Sequence, residues 1–276
     1  MKVVKFSGDV VDYNPSKLKQ TLLKSGASEL MVNNVLHTIE KEIYDGIPTK
    51  QIYKMAFSLL KKISNSHAAR YNLRAALQLL GPAGFFFEKY IARLFEADDY
   101  QTKTNLILQG KCVSHEIDVA LKKDDIISMV ECKFHGGRDA NSDVKVPLYI
   151  LSRFNDLKDK KHPIFSNRDE ISKCWIVTNN RFTTDAVGFA ICSGMSLLSW
   201  DYPLNNNIRT KIDAKHLYPI TCLTTLSIAE KDKLLILNVI LVKELLNNSE
   251  CLEKIELSPN RIKNVLKEAS ELCKYI

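Results

Sequence analysis

Two carboxylates and a lysine carry the chemistry this chain advertises. Asp118 lies in Glu116-Ile117-Asp118-Val119-Ala120-Leu121, and Glu131 and Lys133 lie in Glu131-Cys132-Lys133. Carboxylates held a few ångströms apart repel, and neither ionises readily beside the other. A hard divalent cation resolves that conflict: Mg²⁺ takes oxygen from one or two carboxylates and completes its shell with water and phosphate. A cation held so acidifies a water and stabilises charge on a phosphate. A lysine two residues along a strand shares the carboxylate's face, where it can position that water or neutralise developing charge. The bland alternative for so short a pattern is an amphipathic hairpin with solvated charges.

The spacing says which elements must position these groups. Ile117, Val119 and Leu121 alternate with Glu116, Asp118 and Ala120, and Val130, Cys132 and Phe134 alternate with Glu131 and Lys133. A period of two is that of a strand. The break at Lys122-Lys123-Asp124-Asp125 joins the two strands as a hairpin and sets Asp118 opposite or diagonal to Glu131. With the apolar sets turned to a core, Asp118, Glu131 and Lys133 share the other face. Upstream, Phe85, Phe86, Phe87, Ile91, Leu94 and Phe95 form a helix apolar over most of its surface, with Glu88 inside it. That glutamate is either a solvated face residue or an acid that assists a metal.

Gly81-Pro82-Ala83-Gly84-Phe85-Phe86-Phe87-Glu88, then Tyr100, Gly110, His115-Glu116-Ile117-Asp118-Val119 and Glu131-Cys132-Lys133, resemble the Mrr-type branch of the restriction-endonuclease-like PD-(D/E)xK fold. The resemblance implies a glutamate on the first core helix, an aspartate on the second strand and a Glu-x-Lys on the third. These fall on Glu88, Asp118, Glu131 and Lys133. It further implies Mg²⁺ or Mn²⁺ held by Asp118, Glu131 and the backbone carbonyl of Cys132, where many relatives carry glutamine. His135 is a possible contact for phosphate or water, or an ordinary loop histidine. Arg138 and Lys145 are candidate DNA contacts. Tyr149 to Leu157 reads as a helix, Cys174 to Asn179 as a buried strand, Phe182 to Ile191 as a capped helix and Met195 to Trp200 as a last strand. Helix, three strands, helix, strand, helix, strand suits a mixed sheet flanked by helices.

At 276 residues the chain can hold two or three domains. No run of eighteen apolar residues suggests a membrane helix, and Met1-Lys2-Val3-Val4-Lys5 lacks the features of a signal peptide. Seven cysteines without a C-x-x-C pair suit reduced thiols and a cytoplasmic setting. Of the net charge of +7, residues 1–80 hold +6, twelve Lys and Arg against six Asp and Glu. Such an excess permits polyanion binding without establishing it.

Residues 1–80 read as a small hairpin, Lys2 to Phe6 and Val10 to Tyr13 about Ser7-Gly8-Asp9, over four helices starting at Pro15, Glu29, Thr49 and His67. Val4-Lys5, Gly8, Tyr13-Asn14-Pro15-Ser16-Lys17-Leu18, Ser25-Gly26-Ala27, Pro48-Thr49-Lys50-Gln51-Ile52 and Ala68-Ala69-Arg70-Tyr71 resemble an ATP-cone, a nucleotide-sensing domain. The resemblance implies ATP or dATP beneath the hairpin, with Val4, Lys5 and Lys17 as its contacts. Phe6 departs from the arginine that many relatives have there.

Residues 216–276 read as short helices, Glu230 to Leu237, Val242 to Leu246 and Pro259 to Leu272. They resemble a helix-hairpin-helix or SAM-like module, with Asn238 where a glycine is usual. Such modules often hold DNA phosphate; packing or dimerisation is the alternative.

The expected fold class is therefore multidomain α+β and α/β: an ATP-cone at 1–80, a nuclease core at 81–205 and an all-α module at 216–276. The expected function is a Mg²⁺-dependent DNA endonuclease, homodimeric and modulated by ATP or dATP. Two alternatives stay open: a nucleotide-responsive DNA-binding regulator with an inactive nuclease domain, and a nuclease for RNA or for branched or single-stranded DNA.

Overall fold

The alternation at the centre of the chain becomes a β-hairpin inside a mixed sheet. In the computed structural model, residues 1–276 are described except Phe6, Pro82, Ala83, Arg138, Asp139, Tyr275 and Ile276. The expectations about Phe6, Pro82-Ala83 and Arg138 thus lie outside the described residues.

In chain order the elements begin with β1 (Lys2–Val4), β2 (Val10–Asp12), α1 (Pro15–Lys24), α2 (Glu29–Glu42), β3 (Ile47–Pro48), α3 (Thr49–Ile63), α4 (Asn65–Tyr71) and α5 (Leu73–Gln78). Next come α6 (Phe85–Glu96), β4 (Gln101–Gln109), β5 (Ser114–Lys123), β6 (Ile126–Lys133), β7 (Asn141–Ser142), α7 (Lys145–Leu157), β8 (Lys161–His162), β9 (Asp169–Thr178), β10 (Arg181–Phe182), α8 (Thr184–Cys192), β11 (Ser196–Leu198) and α9 (Ile208–Lys215). The chain ends with a 3-10 turn at Ile220–Cys222, α10 (Ile228–Ile236), α11 (Val242–Asn247), α12 (Glu250–Lys254) and α13 (Pro259–Lys274). The three segments read from the sequence fall into two compact units, Met1–Ala75 with Ile220–Ile276, and Ala76–Pro219.

In the first unit β1 pairs antiparallel with β2 and parallel with β3. Asn14 caps α1 through bonds from Ser16 N–H and Lys17 N–H, at 3.0 and 3.4 Å. The helix expected from His67 to Leu80 is two, α4 and α5. Asn72 separates them, and its side-chain oxygen accepts from the Tyr53 hydroxyl at 2.6 Å. The C-terminal helices share this unit. Glu268 on α13 is 1% exposed, and its carboxylate accepts from Thr224 N–H at 2.7 Å and Thr225 N–H at 2.9 Å. Lys61 on α3 donates to the Thr224 carbonyl at 2.9 Å. Asn238 does turn the chain between α10 and α11 with φ of 62°. The amides that lead into α11 are already taken, however: Glu244 accepts from Ile240 N–H and Leu241 N–H, at 2.8 and 3.0 Å. A resident carboxylate thus fills the place a phosphate would use.

In the second unit the strand order is β11-β9-β6-β5-β4, with β8 beside β9. The β4-β5 and β5-β6 pairs are antiparallel, and β6-β9 and β9-β11 are parallel. Both faces of the sheet are covered. On one, Phe95 of α6 meets Trp175 edge-on and Phe87 packs on Phe134. On the other, Ile150 and Leu157 of α7 and Ala190 of α8 share a core with Ala120, Ile127, Met129 and Ile176. The hairpin is therefore not amphipathic along its length. Its acidic face is buried apolar surface up to the point where the carboxylates begin.

Candidate functional site

Val119 pairs with Val130 across β5 and β6, and the ladder runs from there to Lys123 and Ile126 about a two-residue turn, Asp124-Asp125. One further step of that register sets Asp118 across from Glu131. The backbone confirms the proximity, because Cys132 N–H donates to Asp118 Oδ2 at 2.6 Å. Lys133 is exposed at the end of β6, paired with Thr178 of β9. Strand periodicity keeps it on the face of Glu131.

Glu88 enters from α6. Gly84 begins that helix at φ of 81°, a conformation that suits glycine, and a Cβ there would lie 3.6 Å from Glu88 Oε1 and 3.7 Å from Phe134 Cβ. Burial raises the Glu88 carboxyl from 4.5 to about 7, and the charges of Asp118, Glu116 and Glu131 push the same way. Glu131 rises from 4.5 to about 7 through burial first and Asp118 second, against the pull of Arg153 and Lys133. Burial also raises Asp118, opposed by the Cys132 N–H, Arg153 and Lys133. Glu88, Glu116, Asp118 and Glu131 thus form one repelling group.

One partner of this group, and one support of the loop beside it, were given no role from sequence. Arg153 on α7 donates from Nη1 to Glu131 Oε2 and from Nη2 to the Glu116 carbonyl. One turn on, Asp156 accepts from His115 Nε2 at 2.8 Å, from Cys112 N–H at 2.8 Å and from Val113 N–H at 3.2 Å. Helix α7 therefore grips consecutive residues of β5, just before Asp118. The support is Asn179 and Asn180, both buried after β9. Asn179 exchanges bonds of 2.8 Å with the backbone of His135, and Asn180 donates to the carbonyls of Gly137 and Ala140 at 2.6 and 2.8 Å. Two amides closing an apolar strand were the signal available for them.

His135 proves to be part of that scaffold, half-buried with Nε2 3.0 Å from Ser142 Oγ. Burial, then the charge of Lys133, lowers its pKa and so favours the neutral ring. Lys145 is exposed at the start of α7. Val4, Lys5 and Lys17 lie in the other unit. Lys5 and Lys17 are exposed, Lys5 closing the β1-β2 turn with N–H to Asp9 carbonyl at 2.8 Å and Lys17 in the first turn of α1.

The donor set can be tested against a metal. Among the described residues no three His, Cys, Asp or Glu side chains converge as a finished cage. Mg²⁺ does not need one, since two carboxylates and several waters suffice. Asp118 Oδ2 and Glu131 Oε2 are committed to Cys132 N–H and Arg153, while among the described residues Asp118 Oδ1 and Glu131 Oε1 carry no hydrogen bond. Burial holds the Cys132 thiol well above its usual range, which leaves only its carbonyl as a donor for a hard cation. Two part-buried carboxylates that repel each other fit such an ion.

Residues 82–201 match the restriction endonuclease model of the Mrr catalytic type, so the chain carries a restriction-endonuclease-like domain there. Residues 218–273 match the AF1548-like C-terminal domain. An uncharacterized protein of Archaeoglobus fulgidus is 34% identical over 183 residues, 66% of this chain and 99% of that protein. The crystal structure of AF1548, a protein of unknown function, is 33% identical with a TM-score of 0.57, covering 68% of this chain and 97% of its own. The chain belongs to the AF1548-like family. VC1899 from Vibrio cholerae is 15% identical with a TM-score of 0.32, over 75% of this chain and 57% of its own. Among the described residues no helix is long and apolar enough to cross a membrane.

Proposed function

We propose that the protein is a metal-dependent endonuclease that hydrolyses phosphodiester bonds in DNA. The observation that carries this reading is the closeness of Asp118 and Glu131, each with one oxygen tied down by the protein and one left over. Asp118, Glu131 and the Cys132 carbonyl would hold Mg²⁺ or Mn²⁺. When bound, such an ion supplies an acidified water and stabilises charge on the phosphate. Lys133, beside both carboxylates, orients the attacking water or neutralises the charge gathering on the phosphate oxygens. Glu88, raised to about 7, can hold or release a proton near neutral pH and so assists the water. Two cuts in a duplex are made most directly by two such sites, so we infer a homodimer as the acting form.

The first 80 residues serve in this proposal as an ATP-cone, with Lys5 and Lys17 taking the phosphates of ATP or dATP and Val4 a further contact of the nucleotide. Ammonium groups bind phosphate as point charges, and Lys17 sits in the first turn of a helix, where the dipole favours anions. Nucleotide would bias activity or oligomeric state by binding one state more tightly than the other.

The test is plasmid DNA with Mg²⁺, with and without ATP or dATP, beside Lys133→Ala. Cleavage by the wild type alone supports the nuclease, and a change with nucleotide supports the sensor. Equal cleavage by both proteins would remove Lys133 from the chemistry.

A further inference from the structure

Arg153 spans the hairpin with one planar group, Nη1 on the Glu131 carboxylate and Nη2 on the Glu116 carbonyl. Its side chain is 11% exposed and that of Glu131 18%. The ring of Tyr149, one turn back on α7, lies 5.6 Å from the guanidinium carbon. The charges that meet here are Glu88, Glu116, Asp118 and Glu131 against Lys133 and Arg153. A charge with so little water around it needs a partner, and for Glu131 that partner is Arg153.

Resting on the metal-dependent reading above, we propose that Arg153 is the resident counter-cation of the site: it places Glu131 and, by sharing its charge, sets how tightly a divalent cation binds. The guanidinium takes Oε2 and leaves Oε1, so it need not depart when a cation arrives, but the two positive groups then repel across one carboxylate. Removing Arg153 relieves that repulsion and, while Glu131 is ionised, makes the site more attractive to a cation. The same change frees Glu131 from its fixed orientation and slows the reaction. Metal affinity and turnover therefore move in opposite directions, whereas a mere structural clamp would weaken both.

The experiment follows Mn²⁺ uptake by the full chain through the paramagnetic resonance of free Mn²⁺, for wild type, Arg153→Met and Arg153→Lys, with DNA cleavage in parallel. Arg153→Met should bind Mn²⁺ at least about tenfold more tightly, the lower bound for one charge removed at ~6 Å from a divalent ion under the full screening of water, and should cleave at least about tenfold more slowly. Arg153→Lys should keep near wild-type affinity and recover part of the cleavage. Equal or weaker Mn²⁺ binding by Arg153→Met overturns the proposal. Should that variant not fold, Arg153→Met with Glu131→Gln removes both charges and should match the wild-type thermal midpoint in EDTA; a midpoint that stays low overturns the counter-cation role. Wild type and variants alike refusing Mn²⁺ would sink the metal-dependent reading itself, whereas wild-type binding with unchanged affinity in Arg153→Met sinks only the role of Arg153.

Discussion

The backbone N–H of Cys132 donates to Asp118 Oδ2 at 2.6 Å, so the third strand of the sheet holds the carboxylate of the second. Asp118→Asn retains an oxygen for that bond and should leave stability within about 0.5 kcal/mol of wild type. Asp118→Ala strands a part-buried N–H and should cost about 1–2 kcal/mol. Urea unfolding in EDTA measures both.

Gly110 stands where a side chain cannot. A Cβ there would lie 2.0 Å from Asp156 Oδ2 and 2.7 Å from the Val113 carbonyl. Gly110→Ala must push Asp156 off the turn that leads into β5, releasing its bonds to His115, Cys112 and Val113. We expect a loss of about 1–3 kcal/mol by thermal or urea unfolding, together with reduced cleavage, since the same turn aims Asp118. Unchanged stability would show that Asp156 is not the anchor it resembles.

A pH effect arises in the other unit, at the start of α10. The bond from Arg261 lowers the Glu230 carboxyl from 4.5 to about 2, aided by Ser227 against some burial. A carboxyl lowered on folding adds stability that is present above 4.5 and lost as pH falls toward 2. Wild type should therefore unfold at a higher temperature than Glu230→Gln at pH 6, with the gap closing as pH approaches 2. Calorimetry of the two proteins across that range reads it directly; a gap independent of pH would mean the ionised pair contributes nothing.

Much of this architecture was legible because alternation and capping are local. The hairpin of β5 and β6, the strand ending at Thr178 and the start of α1 at Asn14-Pro15 are written in their own residues. Extent was less legible. Strand β4 runs from Gln101 although only Leu106, Ile107 and Leu108 form an apolar run, and Ile107 is 77% exposed. Helix α9 escaped because only Ile208 and Ile212 mark its buried face. The helix of Arg153 was visible as an amphipathic pattern, but nothing local says that its arginine reaches a carboxylate 22 positions earlier. Nor could the sequence show that Glu244 fills the turn that resembled a phosphate site. Partnerships across long separations are decided by packing, and the acidic face of the hairpin reads as solvated until α7 is laid over it.

Nucleotide sensing makes its own prediction. ATP or dATP should bind the full chain in isothermal titration, and Lys17→Ala, an exposed substitution that leaves the Asn14 cap intact, should weaken binding about tenfold without moving the thermal midpoint of the nucleotide-free protein. Heat of binding identical in both proteins would remove Lys17 from the site.

In the proposed reaction Asp118 and Glu131 serve a metal-dependent cut. The most direct measurement is the single-turnover cleavage rate of duplex, single-stranded and branched DNA with Mg²⁺, for wild type, Asp118→Asn and Glu131→Gln, each with its thermal midpoint as a control for folding. Wild type should cleave at least one substrate, with cleavage abolished by EDTA and reduced about a thousandfold or more in either folded variant. Cleavage at equal rates by wild type and Asp118→Asn, or cleavage that survives EDTA, would contradict that proposal.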